Sequence, residues 1–175
     1  VIVSTARTPI GKAFRGAFND TQAQQMAGHA IAEAVKRSKI SNEEIDDVII
    51  GAAGQQGSQQ GNIARQSLLR AGLPVSVAGM SLDRQCASGM MAIATAAKEI
   101  TEDGMTITVG GGVESVSLVR NENFRMDRAR DPWLEENIPS LYMTMIETAE
   151  NVAKRYGISR EAQDEYSLQS QMRIA

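Results

Sequence analysis

Short apolar runs alternate along this chain with segments of good helix formers, and this alternation constrains the fold more than any other feature. The predicted strands are residues 1–6, 47–51, 77–82 and 105–110. The predicted helices begin at the Thr21-x-x-Gln24 capping box, at Asn62 and at Ala87. A strand, a helix and a second strand in succession form a parallel pair with a crossover. We therefore expect an α/β lobe with a mixed, parallel-rich sheet between helices.

The composition changes after Glu114. Residues 119–139 are charged and irregular, and the prolines in Asp131-Pro132-Trp133 and Ile138-Pro139 are expected to break any helix there. A helical pattern resumes over residues 145–156, ends at Gly157, and is followed by a helix that Ser159 caps. The chain is thus predicted to hold an α/β lobe over residues 1–115 and a mostly helical segment over residues 116–175.

Size and charge limit the possible partners. The chain has 175 residues, 42% of them hydrophobic, and a net charge of −3 without a basic patch. We therefore expect neither a nucleic acid nor a membrane as partner. A single cysteine excludes an internal disulfide framework and fits a reducing compartment, so we expect the cytoplasm or an organelle matrix.

The only cysteine, Cys86, lies where a predicted strand gives way to a predicted helix. A thiol at a helix N-terminus faces unpaired N–H groups and the positive end of the helix dipole, and both favour the nucleophilic thiolate. The small residues Ala87, Ser88 and Gly89 would let a substrate approach the sulfur. The arrangement follows the logic of a nucleophile elbow. The alternative is an inert, buried cysteine that acts as a small hydrophobe.

Other candidate residues point more weakly to function. His29, the only histidine, is predicted to lie on a helix surface or to be packed, in preference to acting as a general base. The spacing Gly51-x-x-Gly54-x-x-Gly57 fits neither a dinucleotide fingerprint nor a P-loop, so a surface loop is the better interpretation. One histidine and one cysteine cannot build a local zinc site, and no metal is predicted.

Four segments, in order along the chain, resemble the thiolase family of acetyl-CoA acetyltransferases and 3-ketoacyl-CoA thiolases. They are Val3–Gly11, Arg84–Gly89, Gly110–Ser115, and Glu147–Ala153 with the following Ile158–Arg160 and Gln163-Asp164. The resemblance runs from Val1 to Ala175 and corresponds to the N-terminal portion of the family. It implies exchange of acyl groups between CoA thioesters, by 3-ketoacyl-CoA thiolysis or acetyl-CoA condensation, through an acyl-cysteine intermediate.

The resemblance also implies roles for individual residues. Cys86 would take the acyl group as a thioester, with its own backbone N–H in an oxyanion hole, and Met145 would line the acyl pocket. CoA would be a substrate, no cofactor would be tightly bound, and the protein would form a homodimer or homotetramer. Residues 1–115 would be the N-terminal lobe, and residues 116–175 the beginning of a loop domain on the CoA and acyl side.

In the family, the activating histidine, the second cysteine and most of the CoA-binding surface belong to the C-terminal half. We therefore expect residues 1–175 to be an incomplete chain that cannot turn over alone and leaves an apolar face exposed. Thr144 and Ile146 depart from common family residues and leave the acyl-chain preference open.

Two alternatives remain open at this stage. A β-ketoacyl synthase relative would share the fold and the cysteine turn, although Arg84-Gln85 before the cysteine favours a thiolase. A non-catalytic CoA-binding or assembly module would keep the lobe without its chemistry.

Overall fold

A parallel three-stranded sheet forms the centre of the N-terminal part of the chain. The computed structural model describes residues 1–175. Strand β1 (Asp47–Gly51) lies between β2 (Ala78–Leu82) and β3 (Thr108–Gly112), and both neighbours run parallel to it. All five residues of β1 are buried. The predicted parallel sheet between helices is therefore confirmed.

Helices cover both faces of the sheet. Helices α1 (Ala23–Ser38) and α2 (Ile63–Arg70) lie on one face, and α3 (Ser88–Thr101) lies on the other. Alternate side chains of β1 belong to two different cores, one on each face of the sheet, because neighbouring residues of a strand point to opposite faces. Val48 and Ile50 pack in a cluster with residues of α1 and α2, whereas Ile49 packs against Ala92 and Ala96 of α3.

The remaining elements are short helices and a helical C-terminal region. Helix α4 (Val116–Val119) follows β3, and α5 (Pro132–Asn137), α6 (Met145–Tyr156) and α7 (Arg160–Ile174) come later. Single 3₁₀ turns occupy Asn42–Glu44, Gly57–Gln59 and Pro139–Tyr142. Internal contacts divide the chain into two compact units, Val1–Phe124 and Arg125–Ala175. No helix has both the length and the apolarity that crossing a membrane demands.

Local capping explains the C-terminal helices. The Thr144 hydroxyl accepts a hydrogen bond from the Glu147 amide at 3.2 Å, and α6 ends at Gly157, whose φ of 64° is left-handed. The Ser159 hydroxyl accepts from the Ala162 amide at 3.2 Å at the start of α7. The predicted helix over residues 145–156 and the predicted Ser159 cap are confirmed.

Two predicted features at the N-terminus are wrong. Residues 1–6 form no strand: they pair with none of the three strands, so the side chains of Val1, Ile2 and Val3 have no sheet to pack on and are exposed. The Thr21-x-x-Gln24 box does not form either. Helix α1 begins at Ala23 after Gln22, whose carbonyl accepts from the amides of Gln25 and Met26. No side chain caps this helix.

Pro132 was also expected to break a helix, and the structure shows that it begins one. A proline is tolerated in the first helical turn because the N–H that it lacks would have no partner there. The Asp131 carboxylate caps α5 by accepting from the Leu134 amide at 3.0 Å.

Candidate active site at the β2–α3 turn

Cys86 is exposed in the turn that joins the carboxyl end of β2 to the first residue of α3. The strand–helix junction predicted from sequence is therefore confirmed, and within residues 1–175 the Cys86 side chain is exposed, not buried. The structure itself does not test whether Cys86 is a nucleophile, which stays a prediction.

The turn before α3 has a fixed conformation. Gln85 has a φ of 48°, in the left-handed region that a residue with a side chain seldom occupies. The Asp83 carboxylate accepts from the Gln85 amide at 2.6 Å. The hydroxyl of Ser88, which is buried, accepts from the Arg84 amide at 2.8 Å and donates to the Gln85 carbonyl at 2.6 Å. Short bonds on both sides therefore hold Gln85 and orient the residue after it.

Glycines bring the start of α3 against the ends of two strands. A Cβ added to Gly51, the last residue of β1, would lie 2.2 Å from both the carbonyl carbon and the oxygen of Ser88. A Cβ on Gly112, at the end of β3, would lie 2.9 Å from the Gly89 Cα. These contacts require hydrogen in place of a side chain, so the helix that follows Cys86 rests directly on the backbone of the sheet.

A polar network at the same edge of the sheet was missed by sequence reasoning. The Glu114 carboxylate, just after β3, accepts from the Ala53 amide at 2.9 Å, the Gly54 amide at 3.3 Å and Gln59 Nε2 at 2.8 Å. Gln59 is fully buried, donates also to the Gly54 carbonyl at 2.7 Å, and accepts from the Ser115 amide. The network ties the glycine-rich loop after β1 to the end of β3.

The sequence carried one signal for this network. Glu114 is the second residue after β3, and an acidic residue at such a position lies at the carboxyl edge of a parallel sheet, where the loops of neighbouring strands meet. Gln59 gave no signal, because its partners at the end of β3, Glu114 and Ser115, are 55 and 56 residues away along the chain.

A cavity of about 320 Å³ opens near the end of β3, and Cys86 does not line it. Its walls come from residues 6–13, from α1 and from residues 112–117. The cavity therefore does not contain the thiol.

The other predicted site residues belong to other elements of the chain. Met145 is the first residue of α6, has an exposed fraction of 80%, and belongs to the unit 125–175, whereas Cys86 belongs to the unit 1–124. His29 is exposed on α1, which is the first of the two predicted positions, on the helix surface or packed. No three histidine, cysteine, aspartate or glutamate side chains are grouped to hold a metal ion.

The fold and the turn together define a parallel α/β lobe with an exposed thiol at a strand–helix junction. A family model described as the N-terminal domain of thiolase matches residues 1–175. The chain therefore belongs to the thiolase family.

Individual relatives agree with this assignment. The chain is 39% identical over 177 residues to the 3-ketoacyl-CoA thiolase of Bacillus subtilis, a match that covers 100% of the chain and 44% of that protein. It is 39% identical over 181 residues to the acetyl-CoA acetyltransferase of Cupriavidus necator, covering 98% of the chain and 46% of that protein.

A solved structure supports the fold in the same way. The crystal structure of the Bacillus anthracis acetyl-CoA acetyltransferase superimposes with a TM-score of 0.79 at 36% identity, covering 98% of this chain and 45% of that one. The chain thus spans less than half the length of the relatives that it matches.

Proposed function

We propose that the complete protein transfers acyl groups between CoA thioesters, by 3-ketoacyl-CoA thiolysis or acetyl-CoA condensation, with Cys86 as the acyl-accepting nucleophile. The observation that carries the proposal is the exposed thiol in the ordered turn before α3, in a chain that belongs to the thiolase family. The two relatives above are named a 3-ketoacyl-CoA thiolase and an acetyl-CoA acetyltransferase, which supports the same reaction class here.

In the thiolysis direction, Cys86 Sγ attacks the keto carbon of the 3-ketoacyl-CoA. The bond between that carbon and the α-carbon breaks, its electron pair leaves with the α-carbon, and protonation there gives acetyl-CoA. The thiol of CoA then attacks the acyl-cysteine, forms the shortened acyl-CoA and returns the cysteine. The covalent intermediate divides one difficult exchange into two easier transfers.

The turn leaves the amide of Cys86 as the candidate donor to the developing oxyanion. The next two amides are occupied, because Ala87 donates to the Arg84 carbonyl at 3.1 Å and Ser88 donates to the Gln85 carbonyl at 3.0 Å. Among the backbone hydrogen bonds of the turn, none is donated by the Cys86 amide. A preorganised donor of this kind contributes about 3–4 kcal/mol to transition-state stabilisation in comparable sites.

The proposal extends to the organisation of the protein. Residues 1–115 form the lobe that carries the nucleophile, and residues 116–175 begin a loop domain in which Met145 contacts the acyl chain. A C-terminal lobe supplies the proton-transfer groups and most of the surface for CoA, which acts as a substrate. The complete protein is a homodimer or homotetramer, and its thiol works in a reducing compartment, the cytoplasm or an organelle matrix.

Acylation of Cys86 tests the proposal directly. The complete protein is incubated with acetyl-CoA and digested with trypsin, which releases residues 85–98 with Cys86 as their only cysteine. We expect an acetyl group on this peptide that added CoA removes. Cys86→Ala should abolish both the label and the turnover. An unlabelled Cys86 in a protein that cleaves acetoacetyl-CoA would overturn the proposed role.

The proposed organisation has its own test. Residues 1–175 alone, incubated with acetoacetyl-CoA and CoA, should form no acetyl-CoA, because the proton-transfer groups are assigned to the other lobe. Robust turnover by this segment would overturn that organisation.

A further inference from the structure

The hydroxyl of Ser88 forms hydrogen bonds to the backbone of the turn that contains Cys86. Its side chain is buried, with an exposed fraction of 4%. Its oxygen accepts from the Arg84 amide at 2.8 Å, donates to the Gln85 carbonyl at 2.6 Å, and lies 3.5 Å from the Asp83 carboxylate. All three partners precede Cys86 along the chain.

These bonds do not serve the helix that Ser88 begins. A serine that stabilises a helix start accepts from an amide two or three residues further along. In α3 the capping position is Ala87, and no side chain caps the helix. The Ser88 hydroxyl is directed backward to the turn, so its energetic contribution falls on the conformation of residues 84–86.

Gln85 is the residue that needs this support. Its left-handed φ of 48° is unfavourable for a residue with a side chain, and its own side chain is exposed. Backbone strain of this kind persists where the surroundings hold it in place. The Gln85 carbonyl accepts from the Ser88 hydroxyl at 2.6 Å and from the Ser88 amide at 3.0 Å, and the Asp83 carboxylate accepts from the Gln85 amide. The shorter of the two bonds to the carbonyl is therefore the one that the hydroxyl supplies.

We propose that Ser88 is a positioning residue: by holding Gln85 in the left-handed conformation, its hydroxyl directs the Cys86 thiol outward, into the orientation that accepts the acyl group. The inference rests on the proposed role of Cys86. It assigns Ser88 no contact with the substrate.

The test uses the complete protein with Ser88→Ala and two measurements. The first is the rate of alkylation of Cys86 by iodoacetamide, measured in the tryptic peptide of residues 85–98. The second is the thiolysis of acetoacetyl-CoA. We expect alkylation and kcat each to fall about tenfold, the scale on which small misplacements of a reacting group act. The KM for CoA should stay within about twofold of the wild-type value, because a positioning loss does not remove binding contacts.

A second substitution separates positioning from general stabilisation. Adding Gln85→Gly to Ser88→Ala should restore most of the alkylation rate and kcat, because glycine adopts a left-handed φ without a side-chain penalty. Gln85→Gly alone is the reference for the double variant. Gln85→Val, which leaves the hydroxyl in place, should slow alkylation as Ser88→Ala does, because a β-branched residue resists the left-handed region. This variant decides the matter if Ser88→Ala does not fold.

Three outcomes overturn the proposal: wild-type alkylation and kcat in Ser88→Ala, no recovery in the double variant, or wild-type alkylation in Gln85→Val. The alkylation assay is independent of the reaction. Alkylation that depends on Ser88 and recovers with glycine, in a protein without acyl transfer to Cys86, would support the positioning and overturn the proposed function.

Discussion

Replacing Gly51 with alanine adds one methyl group where β1 meets the first turn of α3. The φ of Gly51 lies outside the left-handed region, so alanine can adopt the backbone conformation and the effect is steric. The new Cβ would lie 2.2 Å from the Ser88 carbonyl carbon and oxygen and 2.7 Å from the Gly89 nitrogen. All three are backbone atoms, so no side chain can rotate away to make room.

The size of the expected displacement follows from these distances. Ordinary van der Waals contact begins at 3.4 Å, so the Cβ and the Ser88 backbone must separate by about a further 1.2 Å. Either the end of β1 or the start of α3 must move, and Cys86 lies two residues before Ser88. Overpacking of this kind costs about 1–3 kcal/mol of folding free energy. A misplacement of about 1 Å at a reacting group can cost on the order of 100-fold in rate.

The assay compares Gly51→Ala with a matched glycine on the neighbouring strand. Gly111, on β3, also has a φ outside the left-handed region, and a Cβ there would meet only the Ile50 Cδ1 at 3.7 Å. In the complete protein, Gly51→Ala should lower kcat for acetoacetyl-CoA thiolysis by about 10- to 100-fold. Gly111→Ala should stay within about threefold of the wild-type value, because it adds an ordinary contact.

The same two variants are also compared by their thermal unfolding midpoints and by the rate at which iodoacetamide alkylates Cys86. Gly51→Ala should lower the midpoint and change the alkylation rate, whereas Gly111→Ala should change neither by a comparable amount. The reasoning is refuted if Gly51→Ala keeps the wild-type midpoint, alkylation rate and kcat, since the start of α3 would then not be set by backbone contact with β1.

Two further predictions concern α3. Glu99 is buried, with an exposed fraction of 7%. Its burial, and then the negative charge of Asp47, raise the pKa of its carboxyl group. Ionisation of Glu99 therefore destabilises the fold as the pH rises from the ordinary glutamate pKa through the raised one. At pH 8, Glu99→Gln should therefore raise the free energy of unfolding by on the order of 1 kcal/mol, which is seen as a higher thermal midpoint. Near pH 4 this gain should vanish, because Glu99 is then protonated in both states. An equal gain at both pH values would contradict the prediction. Met90 and Ile93 are 77% and 49% exposed on the same helix, so residues 1–175 alone should bind a hydrophobic dye and associate, and Ile93→Lys should reduce both effects. A monomer without dye binding in light scattering and fluorescence would count against an unpartnered face.

The elements that sequence reasoning predicted correctly are those whose determinants are local. Strand β1 was predicted at its observed bounds, because its apolar run is short and bordered by polar residues and glycine. Helix α6 was predicted because capping at Thr144 and termination at Gly157 both act within one turn. The position of Cys86 could be predicted for the same reason, since a strand end and a helix start adjoin it.

The errors arose where the outcome depends on distant residues. The apolar residues 1–6 resemble a strand, but a strand exists only beside a partner, and the local sequence does not show whether one is available. The Gln59–Glu114 network was missed because it joins loops that only the assembled sheet brings together. The helix at Pro132 has a local cause: the proline occupies the first helical turn, and the Asp131 carboxylate caps α5 by accepting from the Leu134 amide.

Two independent constraints meet at Ser88 and together define the orientation of Cys86. The backbone of Ser88 is limited by contact with Gly51, which fixes where α3 begins relative to the sheet. Its hydroxyl is hydrogen-bonded to the Arg84 amide and the Gln85 carbonyl, and these bonds fix the backbone conformation of the turn that leads into α3. Neither constraint is sufficient alone, because a correctly seated helix could still follow a relaxed turn, and an ordered turn could still lead to a displaced helix. The orientation of the thiol therefore depends on Gly51, which has no side chain, and on the hydroxyl of Ser88. Neither residue takes part in the proposed reaction itself.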